Sequence, residues 1–152
     1  MYQRILVPVD GSPTSRRGLQ EALALAKLTG GQLRLLHIVD EMSAAMSMSG
    51  QGVVSADVFE LLREIGEQVL TEALAAVQGQ LVQADTVLIE GFSGRLCDHV
   101  LAQAQQWRAD VIVLGSHGRR GVGRMVLGSD AEQIIRTAQV PVLVVREAGP
   151  AP

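Results

Sequence analysis

Five short apolar runs alternate with longer amphipathic stretches along the 152 residues, and no other feature restricts the fold as strongly. The runs are RILVPV (residues 4–9), LRLLHIV (33–39), ADTVLIEG (84–91), ADVIVLG (109–115) and PVLVV (141–145). They are rich in branched residues and read as strands that are apolar on both faces. Such strands need helices above and below, and the stretches between them supply those helices. The expected fold is α/β: a five-stranded parallel sheet with helices on both faces, flavodoxin-like or Rossmann-like, in strand order 3-2-1-4-5.

Helix signals fall where this scheme needs them. In DGSP, Ser12 is placed to cap a helix and Pro13 suits its first turn, where a missing N–H costs nothing. Leu19, Ala22, Leu23 and Ala26 recur at helical spacing, and Gly30-Gly31 stop the pattern. A long amphipathic helix is expected over residues 56–77, with Phe59, Leu62, Ile65, Val69 and Leu70 on one side. Ser93 is expected to cap a third helix carrying Leu96, Val100, Leu101 and Ala104. Ser129 is expected to cap a short fourth one through Ile134 and Ile135. Between them, DEMSAAMSMSGQGVV (40–54) has no stable period and reads as a mobile loop. One domain over residues 1–147 is expected, followed by a frayed Gly/Pro/Ala tail at 148–152.

Composition excludes several function classes. The net charge is −3 and only 3 % of residues are aromatic. Nucleic-acid binders usually carry a basic excess or stacking aromatics, so no nucleic-acid partner is expected. No apolar stretch is long enough to span a bilayer, and the apolar run near Met1 is too short for a signal peptide, so no membrane association is expected. The single cysteine, Cys97, forms no disulfide framework, suits a cytoplasmic location, and reads as a core filler. Asp98 and His99 are adjacent helix positions that diverge in direction, so no catalytic pair is assigned.

The stretch GSHGRRGVGRMVLGS (115–129) follows the fourth strand and precedes a helix. It holds five glycines, three arginines and no carboxylate in an acidic chain. Glycines let backbone N–H groups approach an anion closely, and a helix start adds partial positive charge. With Arg119, Arg120 and Arg124 the loop suits a polyphosphate. By composition alone, an ordinary flexible strand-to-helix turn stays open as the alternative. There is no GxxxxGK[ST], and DGSP stands where a dinucleotide fold wants GxGxxG. A response-regulator receiver would need an acidic cluster after strand 1, an Asp after strand 3 and a Lys after strand 5. Asp10 stands alone, and Gly91 and Arg146 occupy the other two places.

The spacing Gly115-x-x-Gly118, nine residues, Gly128-Ser129 resembles the G-2x-G-9x-G-[S/T] loop of ATP-binding universal stress proteins. ILVPVDGS, LLHIVD, ADVIVLGSHGRRG, LGSDAEQI and VPVLVV look like blocks of that family in its order, so the likeness spans nearly the whole chain. The resemblance implies that Asp10, with the backbone of Pro8 and Val9, sits against the adenosine. It implies that Ile38 offers backbone hydrogen bonds to the adenine edge and that Leu114 and Gly115 flank the ribose. It further implies that Gly118 and Gly128 admit the phosphates, beside Arg119, and that Ser129 donates its hydroxyl and N–H to them. Asp130 and Ala131 follow in the same helix turn and complete the implied nucleotide site.

The implied ligand is ATP, with AMP or ADP as shorter alternatives, and Mg²⁺ held through the phosphates rather than by a protein metal site. Asp130 departs from the usual apolar or neutral residue there, and Gly121 and Gly123 add loop freedom. With no positioned base, acidic cage or lysine near the phosphates, no catalytic residue is assigned. The expected role is a nucleotide-dependent regulatory module of the stress response. A slow ATPase and a nucleotide-free dimeric scaffold are the alternatives. Family members pair through the last strand, so the resemblance also implies a homodimer through Val140 to Val145.

Overall fold

Alternation along the first strand decides how the layers are arranged. In the computed structural model, which describes residues 1–39, 56–90, 94–116 and 127–146, β1 spans Arg4–Pro8. Ile5 and Val7 point to one face and Leu6 to the other, as a two-residue period demands, and all three are fully buried. Each such side chain contributes about 1.5–3 kcal/mol by leaving water.

Five strands form one parallel sheet in the order β3-β2-β1-β4-β5, as the run pattern predicts. They are β1, β2 (Gln32–Ile38), β3 (Ala84–Ile89), β4 (Val111–Gly115) and β5 (Val142–Val145). Helices α1 (Pro13–Thr29) and α2 (Ala56–Val77) cover one face. There Leu19, Ala22, Val69 and Leu70 pack on Ile5, Val7, Leu33 and Leu35. Helices α3 (Leu96–Gln106) and α4 (Ser129–Thr137) cover the other, where Cys97, Val100 and Ile134 meet Leu6, Leu36 and Ile112. Cys97 is buried in this second layer, as a core filler should be.

Helix α1 begins and ends as its sequence signals require. Ser12 is its N-cap, accepting from the Ser15 N–H at 3.2 Å, and Pro13 opens its first turn. Gly30 ends it in the left-handed conformation, donating its N–H to Ala26. Strand β3 is less apolar than the run pattern suggests, because it is an edge strand. Asp85 and Thr86 are exposed, and Asp85 takes a two-pronged bond from Arg34 of β2 at 2.6 and 2.8 Å. The Arg34 guanidinium in turn lies 4.7 Å from the Trp107 ring centroid. The loop expected over residues 40–54, Ser93 and the tail at 148–152 lie outside the described residues. Among the described residues no helix is long and apolar enough to cross a membrane.

Candidate functional site

Proline opens the sheet where the chain order reverses. Arg4 presents its carbonyl to Asp110 beside β4, while Gln3 and Val9 bond toward β2. Pro8 therefore faces β4 by parity, and it has no N–H for a further rung. The β1–β4 register stops at Ile5↔Val111 and Leu6↔Ile112, whereas β1–β2 continues through Pro8↔Leu36 and a Val9 N–H bond to the Leu36 carbonyl at 2.8 Å. Beyond this point β1 and β4 no longer pair, at the reversal of strand order where open parallel sheets collect ligands in a crevice.

Asp10 is fixed at the mouth of that crevice by a closed ring of bonds. Its N–H donates to Ser15 Oγ at 3.1 Å, the Ser15 N–H donates to Ser12 Oγ, and the Ser12 N–H returns to Asp10 Oδ1 at 2.9 Å. Ser12 and Ser15 are both buried. The other end of the same peptide is held as well: His37 Nδ1 donates to the Val9 carbonyl at 2.7 Å. A carbonyl can only accept, so this nitrogen carries the proton. His37 is buried near the end of β2. The alternation of β2 puts His37 in the sheet next to the end of β1, and no local signal in LLHIV names Val9.

Ile38, the next residue, lies on the crevice side. The β2 ladder alternates, with Leu36 bonded to β1 and Val39 donating to Ile89 of β3 at 2.8 Å. The N–H and C=O of Ile38 therefore face the space where β1 has ended. Its side chain packs on the α3/α4 layer, so it is the main chain that faces the crevice.

The β4 side is shaped by close approach. A Cβ on Gly115 would stand 2.8 Å from the Thr14 carbonyl carbon and 2.9 Å from its oxygen, so only glycine lets the α1 N-terminus rest on the end of β4. The Leu114 and Ala131 side chains are buried in the core, and these residues present main chain only. Ser116 ties three elements together: its N–H donates to Val145 at 2.8 Å and its carbonyl accepts from the Gly128 N–H at 3.0 Å. Helix α4 thus starts against the end of β4.

The start of α4 lies one residue earlier than the sequence suggests. Gly128, not Ser129, is the N-cap of α4, with extended backbone (ψ 146°). Ser129 is the first helical residue, because the bond from Gly128 to Ser116 leaves the cap position to the glycine. Ser129 is exposed and its main-chain N–H belongs to the unpaired first turn. Likewise the N-cap of α3 is Arg95, whose N–H donates to Asp98 Oδ2 at 3.0 Å.

Asp130 occupies the first turn of α4, where a carboxylate is favoured by the helix dipole. Its charge reaches Cys97 on α3. Burial first, and then the charges of Asp98 and Asp130, push the Cys97 thiol above its ordinary range. Gly118 and Arg119 lie outside the described residues. The structure thus brings Pro8, Val9, Asp10, Ile38, Leu114, Gly115, Gly128, Ser129, Asp130 and Ala131 to the carboxyl end of the sheet around the β1–β4 opening. Among the described residues no group of three His, Cys, Asp or Glu side chains could hold a metal ion. A cavity of about 180 Å³ opens between α1 and α2, with Val9, Gly11 and Ser15 of the Asp10 turn in its walls beside Leu19, Val69 and Ala73.

Comparison with known proteins agrees with this architecture. The model of the universal stress protein family matches residues 1–146. A universal stress protein of Methanocaldococcus jannaschii is 31 % identical over 147 residues, covering 97 % of this chain and 84 % of that protein. A crystal structure from the family in Burkholderia pseudomallei is 29 % identical with a TM-score of 0.76, covering 95 % of this chain and 96 % of that one. The Archaeoglobus fulgidus universal stress protein in complex with dAMP has a TM-score of 0.66 at 21 % identity, covering 95 % and 98 % of the two chains, and it shares the fold. The chain belongs to the universal stress protein family.

Proposed function

We propose that the β1–β4 crevice binds an adenine nucleotide, ATP with Mg²⁺ carried on its phosphates, and that binding makes the protein a regulatory module rather than an efficient enzyme. The observation that carries this reading is the immobilised Asp10 at the opening left by Pro8, on the strand next to the one that leads into α4. In this reading Asp10 and the Pro8–Val9 main chain lie against the adenosine. The N–H and C=O of Ile38 match the donor and acceptor on an adenine edge. The bare main chain of Gly115, next to Leu114, leaves room for the ribose. The phosphates meet Gly118, Arg119 and Gly128, the N–H and hydroxyl of Ser129, and the first-turn N–H groups of Asp130 and Ala131.

The residues present suit a metal ion bound through phosphate oxygens, since Mg²⁺ keeps several waters and needs few protein ligands. The dAMP complex of the Archaeoglobus relative supports the adenine class. In the same reading two copies pair through β5, an open edge whose Leu143 is 42 % exposed.

Mass spectrometry of the small molecules released on denaturing the purified protein, followed by calorimetric titration with Mg-ATP, ADP and AMP, tests the proposal. An adenine nucleotide in the extract, and binding that Asp10→Ala weakens at least about tenfold, are expected, because a charge-assisted hydrogen bond is worth about 1.5–3 kcal/mol. An empty extract together with no heat at millimolar nucleotide overturns it.

A further inference from the structure

The Val9–Asp10 peptide is gripped at both ends by different elements. Its carbonyl accepts from His37 of β2 at 2.7 Å, and its N–H donates to Ser15 of α1 at 3.1 Å. Rotation of this peptide would carry Asp10 with it, so the two bonds together set where the carboxylate stands. The first also draws toward His37 an acceptor that the sheet would otherwise use. By the alternation that pairs Val9 N–H with Leu36 O, the next rung would run from the Ile38 N–H to the Val9 carbonyl. His37 takes that carbonyl instead, and β1 stops pairing one rung early.

Helix α2 is cut to fit this ring. A Cβ on Gly66 would lie 2.8 Å from His37 Cδ2 and 2.9 Å from Leu88 Cδ1, closer than carbon atoms normally approach, and 3.2 Å from His37 Nε2. Glycine in the middle of a 22-residue helix costs about 0.5–1 kcal/mol relative to alanine. The close approach of the imidazole and of the Leu88 side chain accounts for it.

We propose that His37 is a positioning residue of the nucleotide crevice: by taking the Val9 carbonyl it holds Asp10 in place and leaves the Ile38 N–H for the adenine edge, with Gly66 giving its ring room. The adenine part rests on the proposed nucleotide function. The grip on the peptide does not.

The test compares His37→Leu, which removes the donor, with His37→Asn, whose side-chain amide stands close to where Nδ1 stood. Amide hydrogen exchange is read by NMR on nucleotide-free protein, and Mg-ATP affinity by calorimetry. In His37→Leu the Ile38 amide gains the vacated carbonyl, so its exchange slows about tenfold although the melting temperature falls, and nucleotide affinity drops about tenfold. His37→Asn recovers most of both effects while losing the same ring packing. Gly66→Ala, which crowds the ring, shifts both readings in the direction of His37→Leu.

A role limited to core packing would speed exchange everywhere and treat the leucine and asparagine variants alike; that result, or an unchanged Ile38 amide, overturns the proposal. If the wild-type protein takes up no nucleotide, the functional reading and the adenine part fall together. The exchange pattern then still decides whether His37 holds the peptide.

Discussion

Gly115 and Thr14 approach so closely that a single methyl group does not fit between them: a Cβ on Gly115 would sit 2.8 Å from the Thr14 carbonyl carbon. The contact is backbone against backbone, so no side-chain rotation relieves it. Gly115→Ala should therefore cost about 1–3 kcal/mol through overpacking, measured as a lower urea midpoint. For a chain of this size each kcal/mol corresponds to roughly 2–4 °C in Tm. An unchanged midpoint would mean that α1 can slide off the end of β4 without penalty.

The ring joining Asp10, Ser12 and Ser15 should behave as a unit. Ser12→Ala removes the cap of α1 and should cost about 1 kcal/mol. Ser15→Ala removes the acceptor of the Asp10 N–H and should cost a similar amount. Because each change breaks the same closed circuit, the double variant should cost less than the sum by about 0.5 kcal/mol or more. A strictly additive cycle would show that the three bonds are independent.

Cys97 should be inert in the native protein. Burial, with help from Asp98 and Asp130, raises its pKa, so the folded state holds the thiol proton more tightly than the unfolded chain, which titrates near about 8.5. A raised folded value contributes stability that is fully present below the unfolded pKa and is lost as pH rises through the folded one. Native protein at about pH 8 should react slowly with a thiol reagent and quickly once urea is added. Urea midpoints should decline in the alkaline range for the wild type but less for Cys97→Ala. Fast labelling of the folded protein would contradict this.

Strand β5 offers a separate test of self-association. Pro141 and Val145 turn their carbonyls to β4, so the main-chain groups of Val142 and Val144 face the open edge. Leu143 is 42 % exposed and belongs to neither buried core cluster among the described residues. Leu143→Lys should leave Tm within about 2 °C, as surface substitutions usually do, while placing a charge on the edge. Light scattering after size exclusion should show a dimer for the wild type and a monomer for this variant. A wild-type monomer at micromolar concentration would end the pairing proposal.

The layered fold was legible in the residues because its signals are local. Runs such as VIVL and LRLL declare strands buried on both faces, Ser12-Pro13 and Gly30-Gly31 bracket a helix, and the strand–helix alternation leaves little choice of topology. Asp10 and the Gly128–Ser129 step were legible as candidate site residues because they sit at strand and helix ends. The error at Ser129 came from a competing main-chain bond: Gly128 is anchored to Ser116, so the cap falls one residue earlier than side-chain chemistry suggests.

The amino-acid order by itself determined what depends on neighbours along the chain: period, caps, the missing N–H of Pro8, and the family blocks. Only the tertiary structure decided which distant groups meet. It set His37 on the carbonyl of Val9 across 28 positions of chain, Gly66 against that imidazole, and Gly115 against Thr14. Such contacts follow from sheet register and helix placement, which many residues fix together, so no short stretch of sequence announces them.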